Sequence, residues 1–430
     1  THIYHEFDVE HFNVTRFTHA VNALIARHEM LRARVLPDGT QQILAQVPAY
    51  QLEQRDLSAL SPNARNDALM AIRDRLSHHV HPADRWPLFD FSYSACTAQH
   101  GRLHFSLDLL IADALSMRTL QQELMMLYRE PHVSLPLLPF SFRDYVQALL
   151  VEQASEAYAR DQAYWQRALP QLYGPPTLPV QGDLAQLSAI RFVRRRHRLS
   201  AHNWGVLSAL AQRTRITKTA LLLTVFSQVL ARWSLSPTFT LNLTLFNRPQ
   251  GYPNAEAVIG DFTAVSLLNV CYDSQHSYAH NAQRIQVQLW EDLEHRRFSG
   301  IRASEALIHS GRFHAPMPVV FTSMLDIDGE TTAQDPRDTT RFTLCPDANI
   351  TQTPQVWLDH QVIELAGELH FNWDAVEQLF DTTLLDQMFG AYCHALQALV
   401  AMPQSWWGVN SSLALPTVSA PVTQAPAPTA

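Results

Sequence analysis

Leu103, Phe105, Leu107, Leu109 and Ile111 alternate with His104, Ser106 and Asp108, a period of two that predicts a half-buried strand. Asp113 follows, ahead of Met117, Leu120, Leu124 and Leu127 at helical spacing, so it reads as the N-cap of a helix over 114–129. Upstream, the pattern predicts a strand at Ile3–Phe7 and a helix from Val14 to Leu31 carrying Phe17, Val21, Leu24, Ile25 and Met30 on one side. Pro37-Asp38-Gly39 makes a turn into a strand at Gln41–Ala45, and a helix follows near 61–80. Phe140–Leu169 reads as helical, with Tyr145, Leu149, Tyr158 and Trp165 as packing residues. The Pro-rich stretch Leu169–Pro179 cannot continue a helix and marks a boundary. Beyond it the theme repeats: helix 201–232, strand 238–246, helix 277–296, strands 317–324 and 354–365, and a last helix at 375–400. Two α/β lobes are expected, at 1–170 and 171–415, followed by a flexible linker at 416–430.

Three strands in the second half carry a polar face. Phe239, Leu241, Leu243 and Leu245 take one side of the first, and Thr240, Asn242 and Thr244 the other. The second groups Val320, Thr322 and Met324, and the third groups Gln355, Trp357, Asp359 and Gln361. Amides, hydroxyls and a carboxylate around a Trp suit a polar channel, and they equally suit a solvated sheet face. The two aspartates at 108 and 113 have a similar double reading: a site at a strand end, or carboxylates that position a loop.

The net charge of −8 comes with no basic stripe, which disfavours nucleic acid as a partner. The short cluster Arg194, Arg195, Arg196, His197 and Arg198 reads as a solvated strand edge. No apolar run approaches a membrane span. Cys96, Cys271, Cys345 and Cys393 are far apart and share no metal or redox spacing, and the histidines form no metal motif, so no metal and no bound cofactor are expected. The expected setting is cytoplasmic. The abrupt start and Pro/Ala/Thr-rich end suggest one module of a longer chain.

The chain resembles the heterocyclization domains of nonribosomal peptide synthetases, a branch of the condensation-domain superfamily. In the first half the resemblance rests on Arg27-His-Glu-Met-Leu-Arg32 with Asp38-Gly39, and on Asp108-Leu-Leu-Ile-Ala-Asp113 with Ser116. In the second it rests on Leu241-Asn-Leu-Thr-Leu-Phe-Asn-Arg248, Ile259-Gly-Asp-Phe-Thr263, Leu289-Trp-Glu-Asp-Leu-Glu-His295 with Phe298-Ser-Gly300, Val320-Phe-Thr-Ser323 and Thr353-Pro-Gln-Val-Trp-Leu-Asp-His-Gln361. The family's opening segment has no counterpart here, and a polar insert runs from about Asp328 to Arg341. The resemblance implies two chloramphenicol-acetyltransferase-like α/β lobes in a V-shaped pseudodimer with a central tunnel. The partners implied are an upstream donor carrier protein, a downstream acceptor carrier protein and an adjacent adenylation domain. Phosphopantetheine arms on the carriers deliver the reactants. The implied reaction joins an acyl or peptidyl thioester to cysteine, serine or threonine, then cyclodehydrates the product to a thiazoline or oxazoline.

Condensation domains carry His-His-x-x-x-Asp-Gly where this chain has Asp108, Leu109, Asp113 and Ala114. A positioned amine attacks a thioester through proximity alone, but loss of water needs a proton given and a proton taken. The resemblance points to Asp359 as that acid/base, with Thr322 hydrogen-bonding it. Gln355, Asn247 and Trp357 are expected to orient substrate. Asp108, Asp113 and Ser116 become structural anchors, with Arg248 reaching Asp113 from the second lobe, or Arg32 from the first. Rival readings are an ordinary condensation domain, a domain performing one half-reaction, and a catalytically silent docking module.

Overall fold

The strand expected around Asp108 forms over His100–Asp108, but it is buried on both faces rather than one. The computed structural model describes residues 2–187, 190–248, 252–313, 315–325, 340–345, 348–353 and 355–409. The tail 416–430 and the polar insert, apart from Thr340 and Arg341, lie outside them. The elements in chain order are β1 (His2–Glu10), α1 (Val14–Arg27), β2 (Ala33–Val35), β3 (Gln41–Ile43), β4 (Glu53–Asp56), α2 (Pro62–Ser77), β5 (Phe89–Ala95), β6 (His100–Asp108), α3 (Ala114–Arg129), α4 (Phe142–Glu152), α5 (Glu156–Ala168) and β7 (Phe192–Leu199). There follow α6 (Ala201–Thr214), α7 (Lys218–Trp233), β8 (Thr238–Phe246), β9 (Thr263–Cys271), α8 (Tyr278–Glu294), α9 (Gly300–His309), β10 (Val319–Met324), β11 (Arg341–Leu344), β12 (Ile350–Gln352), β13 (Leu358–Leu365), β14 (Glu368–Val376) and α10 (Thr382–Ala401).

Two compact α/β units result, and neither is contiguous in sequence. The first comprises Thr1–Glu152, Phe246–Thr263 and Thr331–Pro354, and the second Gln153–Leu245, Ala264–Glu330 and Gln355–Ala430. This division differs from a single cut near 170 for two packing reasons. Helix α5 belongs with the second unit, because its Trp165 indole donates to His295 O (3.0 Å) and its Tyr164 hydroxyl to Asp292 (2.8 Å). The segment 246–263 belongs with the first, because Val258, Ile259 and Phe262 enter the core that holds Phe142 and Tyr145. Two expected long helices are also each broken in two. At Ser155 a side chain caps α5 after α4 ends, and at Arg215 the backbone turns left-handed (φ 60) before Thr217 caps α7.

In the first unit the sheet runs β11–β1–β6–β5–β4, and β12 continues the edge beside β1. Ile3, Val9, Leu103, Phe105, Leu107, Phe89 and Phe91 meet α1 and α3 in the apolar core. The opposite face is polar and is buried as well. There β1 and β6 put Glu6 across from His104, and α2 brings Arg73 over it. Arg73 Nε and Nη2 donate to the two Glu6 oxygens (2.7 and 2.8 Å), Arg102 Nη1 donates at 2.6 Å and the Tyr4 hydroxyl at 2.7 Å. Burial alone would raise the Glu6 carboxyl. The bonds from Arg73, His104 and Tyr4 outweigh it and hold the group well below the usual carboxylate range.

In the second unit the order is β7–β14–β13–β10–β8–β9, with β10 parallel to both β13 and β8 and the β13–β14–β7 steps antiparallel. Helix α7 is buried nearly all round, from Ala220 to Leu230, as expected of a helix apolar on every side. Strands β9 and β14 are not anticipated from the sequence: β14 falls inside and just before the segment read as the last helix.

Glu6→Gln strands the Arg73 guanidinium and leaves Arg102 with Asp8 alone, and is expected to cost about 3–5 kcal/mol at pH 7 in urea unfolding. Because the folded-state affinity for a proton is depressed, that stabilisation is full above about pH 4.5 and fades as pH falls. The deficit of the variant therefore narrows under acid.

Candidate active site

Strand pairing in the second unit places polar residues in two adjacent rows. One row reads Arg194, Asp374, Asp359, Val320 and Asn242 across β7, β14, β13, β10 and β8. The next reads Arg196, Asn372, Gln361, Thr322 and Thr244. Thr322 Oγ1 lies 3.1 Å from Asp359 Oδ1 and 2.9 Å from Thr244 Oγ1. Gln361 Nε2 donates to Asp359 Oδ2 at 2.6 Å, and Asn372 Nδ2 donates to Gln361 Oε1 at 3.2 Å. The Asp359 oxygens thus meet a neutral hydroxyl and a neutral amide.

Asp359 is 7% exposed. Burial pushes its carboxyl up to about 7, helped by the Asp374 carboxylate. The bonds from Gln361 and Thr322, and the Arg194 charge, act the other way. A hydroxyl has one proton to give. When Asp359 holds its proton on Oδ1, Thr322 accepts it and donates onward to Thr244. When Asp359 is ionised, both hydroxyls turn and point toward it. This arrangement accommodates either protonation state without moving a heavy atom. His360, next in sequence, faces the opposite side of the sheet. It sits among Phe226, Phe321 and Tyr392, where burial lowers it to about 3, so it stays a neutral core residue.

Gln355 does not join this face. The strand begins at Leu358, Gln355 is exposed with a left-handed backbone (φ 69), and Trp357 is tied by its backbone to Pro318 O and Val376 N. The alternation read from 355 to 361 therefore fails at Gln355. Asn247 belongs to the first unit, where its N–H donates to Phe262 O (3.1 Å) and its side chain bonds the Tyr145 hydroxyl. Asp374, Arg194, Gln361 and Thr244 complete the cluster. Gln361 and Thr244 were already on the polar faces read from the sequence; the signal for Asp374 was the alternation of Leu369, Phe371 and Trp373 with His370, Asn372 and Asp374, a strand pattern hidden beside the last helix.

The first unit gathers Asp113, Ser116 and Arg248. Asp113 Oδ1 caps α3 through Ser116 N (2.7 Å) and accepts from Arg248 Nη2 (2.9 Å). Arg248 Nη2 also donates to Ser116 Oγ (2.9 Å), Nη1 donates to Val258 O, and the guanidinium stacks 4.3 Å from the Phe262 ring centroid. Ser116 Oγ in turn donates to Gly260 O (2.8 Å) and accepts from Gly260 N (3.1 Å). A Cβ at position 260 would run into the Phe142 ring, which is why glycine stands there. Arg248 reaches Asp113 from within one unit, not from the second lobe as expected. Arg32 is not a partner of either aspartate: its guanidinium donates to Ile25 O (3.1 Å) and Leu44 O (2.8 Å), fastening the turn after α1 to the β2–β3 hairpin. Asp108 is 3% exposed, and its Oδ1 accepts from Leu110 N (2.9 Å). Burial raises its carboxyl, opposed by that N–H.

Among the described residues no cluster of His, Cys, Asp and Glu could hold a metal, and no helix is long and apolar enough to cross a membrane. The two α/β units and their polar sheet have counterparts in known proteins. The family model for the condensation domain matches residues 3–409. Pyochelin synthetase PchF of Pseudomonas aeruginosa is 35% identical over 406 residues, covering 91% of this chain and 21% of that protein. Phenyloxazoline synthase MbtB of Mycobacterium tuberculosis is 34% identical over 411 residues, 94% of this chain and 28% of that protein. This chain thus spans well under a third of either relative. The solved EpoB NRPS cyclization-docking bidomain from Sorangium cellulosum superposes with a TM-score of 0.85 at 37% identity, covering 94% of this chain and 81% of that one. The chain belongs to the condensation-domain family of nonribosomal peptide synthetases, in its heterocyclization branch, and has that family's two-lobed chloramphenicol-acetyltransferase-like fold.

Asp113→Ala is expected to lose about 3–5 kcal/mol in chemical unfolding, since it strands the buried Arg248 and uncaps α3. Asp359→Asn has the opposite effect on stability. A carboxyl raised in the folded state contributes stability that is full below about pH 4 and lost as pH rises to about 7. The variant should therefore match the wild type near pH 4 and exceed it by on the order of 3–4 kcal/mol above pH 7.

Proposed function

We propose that the chain forms an amide between a carrier-bound acyl or peptidyl thioester and the amine of carrier-bound cysteine, serine or threonine, and then closes the heterocycle. In the second stage the acceptor's thiol or hydroxyl adds to the new amide carbonyl. A carbon–sulfur or carbon–oxygen bond forms, and the carbonyl oxygen becomes a hydroxyl. Loss of that hydroxyl as water, with loss of the nitrogen's proton, leaves the C=N bond of a thiazoline or oxazoline. The observation that carries this reading is the buried Asp359 carboxyl, poised near neutrality between Thr322 and Gln361. Such a group gives its proton to the departing hydroxyl and takes one back from nitrogen, so it ends as it began. Thr322 keeps the carboxyl oriented in both states.

The reactants arrive on phosphopantetheine arms of an upstream donor and a downstream acceptor carrier protein, the latter loaded by an adjacent adenylation domain. The domain holds no cofactor of its own in this reading, and its setting is the cytoplasm. The relatives' names support the reading as far as they go: one is a phenyloxazoline synthase and one a cyclization bidomain. Asp108, in place of a histidine, leaves the amide step to positioning of amine and thioester rather than to a strong base.

With loaded carrier proteins and mass-spectrometric readout, Asp359→Asn should accumulate the uncyclised amide and reduce heterocycle at least 100-fold. Thr322→Ala should reduce it by about 5–30-fold, the worth of one hydrogen bond to a reacting group. Wild-type cyclisation should decline as pH rises above about 7, where the acid form is lost. Heterocycle formed at wild-type rates by both variants overturns the assignment.

A further inference from the structure

Asp359 has a neighbour whose arrangement its own hydrogen bonds do not explain. Directly across the β13–β14 ladder stands Asp374, and directly across the next ladder stands Arg194. Arg194 Nε and Nη2 donate to the two Asp374 oxygens at 2.7 and 2.6 Å, a two-pronged pair. Asp374 is fully buried, and the Arg194 side chain is 17% exposed. Side chains directly opposite on antiparallel strands stand about 5 Å apart, and the next strand lies roughly another 5 Å away. The pair is therefore neutral as a whole but oriented, with its negative end toward Asp359 and its positive end two strands off. A fork held by both oxygens cannot swing to offer its cation to Asp359.

Among the described residues, the other side chains in these two rows next to Asp359 are neutral. They are Gln361 on its own strand, Thr322 on β10, Thr244 and Asn242 on β8, and Asn372 on β14. Arg196 stands one row further, opposite Asn372. Helices α7 and α10 cover the opposite face, where His360 points. Resting on the function proposed above, we infer that Arg194 and Asp374 form a positioning pair for the proton chemistry of Asp359: they present the negative end of a neutral dipole to its carboxyl and so keep the proton on it near neutral pH. Neither residue is assigned contact with substrate.

The test is the ratio of cyclised to uncyclised product as a function of pH, with loaded carrier proteins and the full chain. Asp374→Asn removes the facing carboxylate and frees the guanidinium, so the high-pH limb of the profile should move down by about one pH unit. Arg194→Gln leaves two carboxylates face to face and should move the limb up by a similar amount. Arg194→Lys, which keeps the charge, should stay within about half a unit of wild type. A limb that stays at the wild-type pH in Asp374→Asn, with rates lowered equally at all pH values, overturns the inference and leaves a structural ion pair. Should Arg194→Gln fail to fold, Asp374→Asn alone decides, since its amide can still accept from Arg194. The underlying reading is checked separately: if Asp359→Asn keeps the wild-type profile, the assignment of Asp359 itself fails, whatever Asp374 does.

Discussion

A carboxyl group taken out of water must be matched by cations and donors or must hold a proton, and four of the buried carboxyls of this protein illustrate both outcomes. Glu6 meets two guanidinium groups and a phenol, Asp113 meets Arg248 and a helix N-terminus, and Asp374 meets the fork of Arg194. Asp359 meets only a hydroxyl and an amide. The first three consume their charge in fastening one element to another: α2 to the first sheet, the 246–263 segment to α3, and β7 to β14. The fourth retains a proton it can exchange. Asp292 is likewise raised to about 7 by burial and meets the Tyr164 hydroxyl and the Gln288 amide, so a neutral setting does not by itself mark a group for chemistry. What sets Asp359 apart is its place beside Thr322 in the polar rows of the second sheet.

The same rule reassigns the pair at 108 and 113. Their spacing draws attention because two histidine positions are occupied by Asp108 and Leu109, yet neither aspartate is set up to move protons between partners. Asp113 is consumed by the cap and by Arg248, and Asp108 by the turn that follows its strand. Substitution of the histidines identifies the branch of the family without transferring their work to the residues that replaced them.

Much of this was legible in the sequence, and the rest was hidden for physical reasons. The helix at 114–129 with its aspartate cap and the strand at 238–246 follow from periodicity, and the proximity of Thr322 to Asp359 from the family resemblance. The polar but buried face of the first sheet was not legible. Alternation cannot distinguish a polar face turned to water from one covered by a helix that supplies an arginine, and Arg73 lies 67 residues from Glu6. The left-handed break at Arg215 carries no glycine to announce it. Gln355 misled because the alternating pattern ran on past the point where the backbone leaves the strand. Asp374 and Arg194 escaped because a residue's role in a sheet depends on which strands lie beside it, and pairing order is not written in local pattern.

The first unit draws on three separated stretches of chain, and this bears on how the protein is made. Its outermost strands, β11 and β12, and the arginine that clamps α3 are encoded after residue 245, beyond a large part of the second unit. During synthesis the nascent β1 must wait, one edge unpaired, until residues beyond 340 have emerged from the ribosome. An unpaired edge is a site for wrong pairing, so the growing chain is exposed to misassembly until β11 and β12 are made. The same threading limits recombination of synthetase modules. A cut in the Pro-rich stretch near 170 looks natural on sequence grounds, but it would separate β1 from β11 and β12 and Asp113 from its arginine. Exchanges that carry the whole span from β1 to the end of α10 keep every such partnership within one piece.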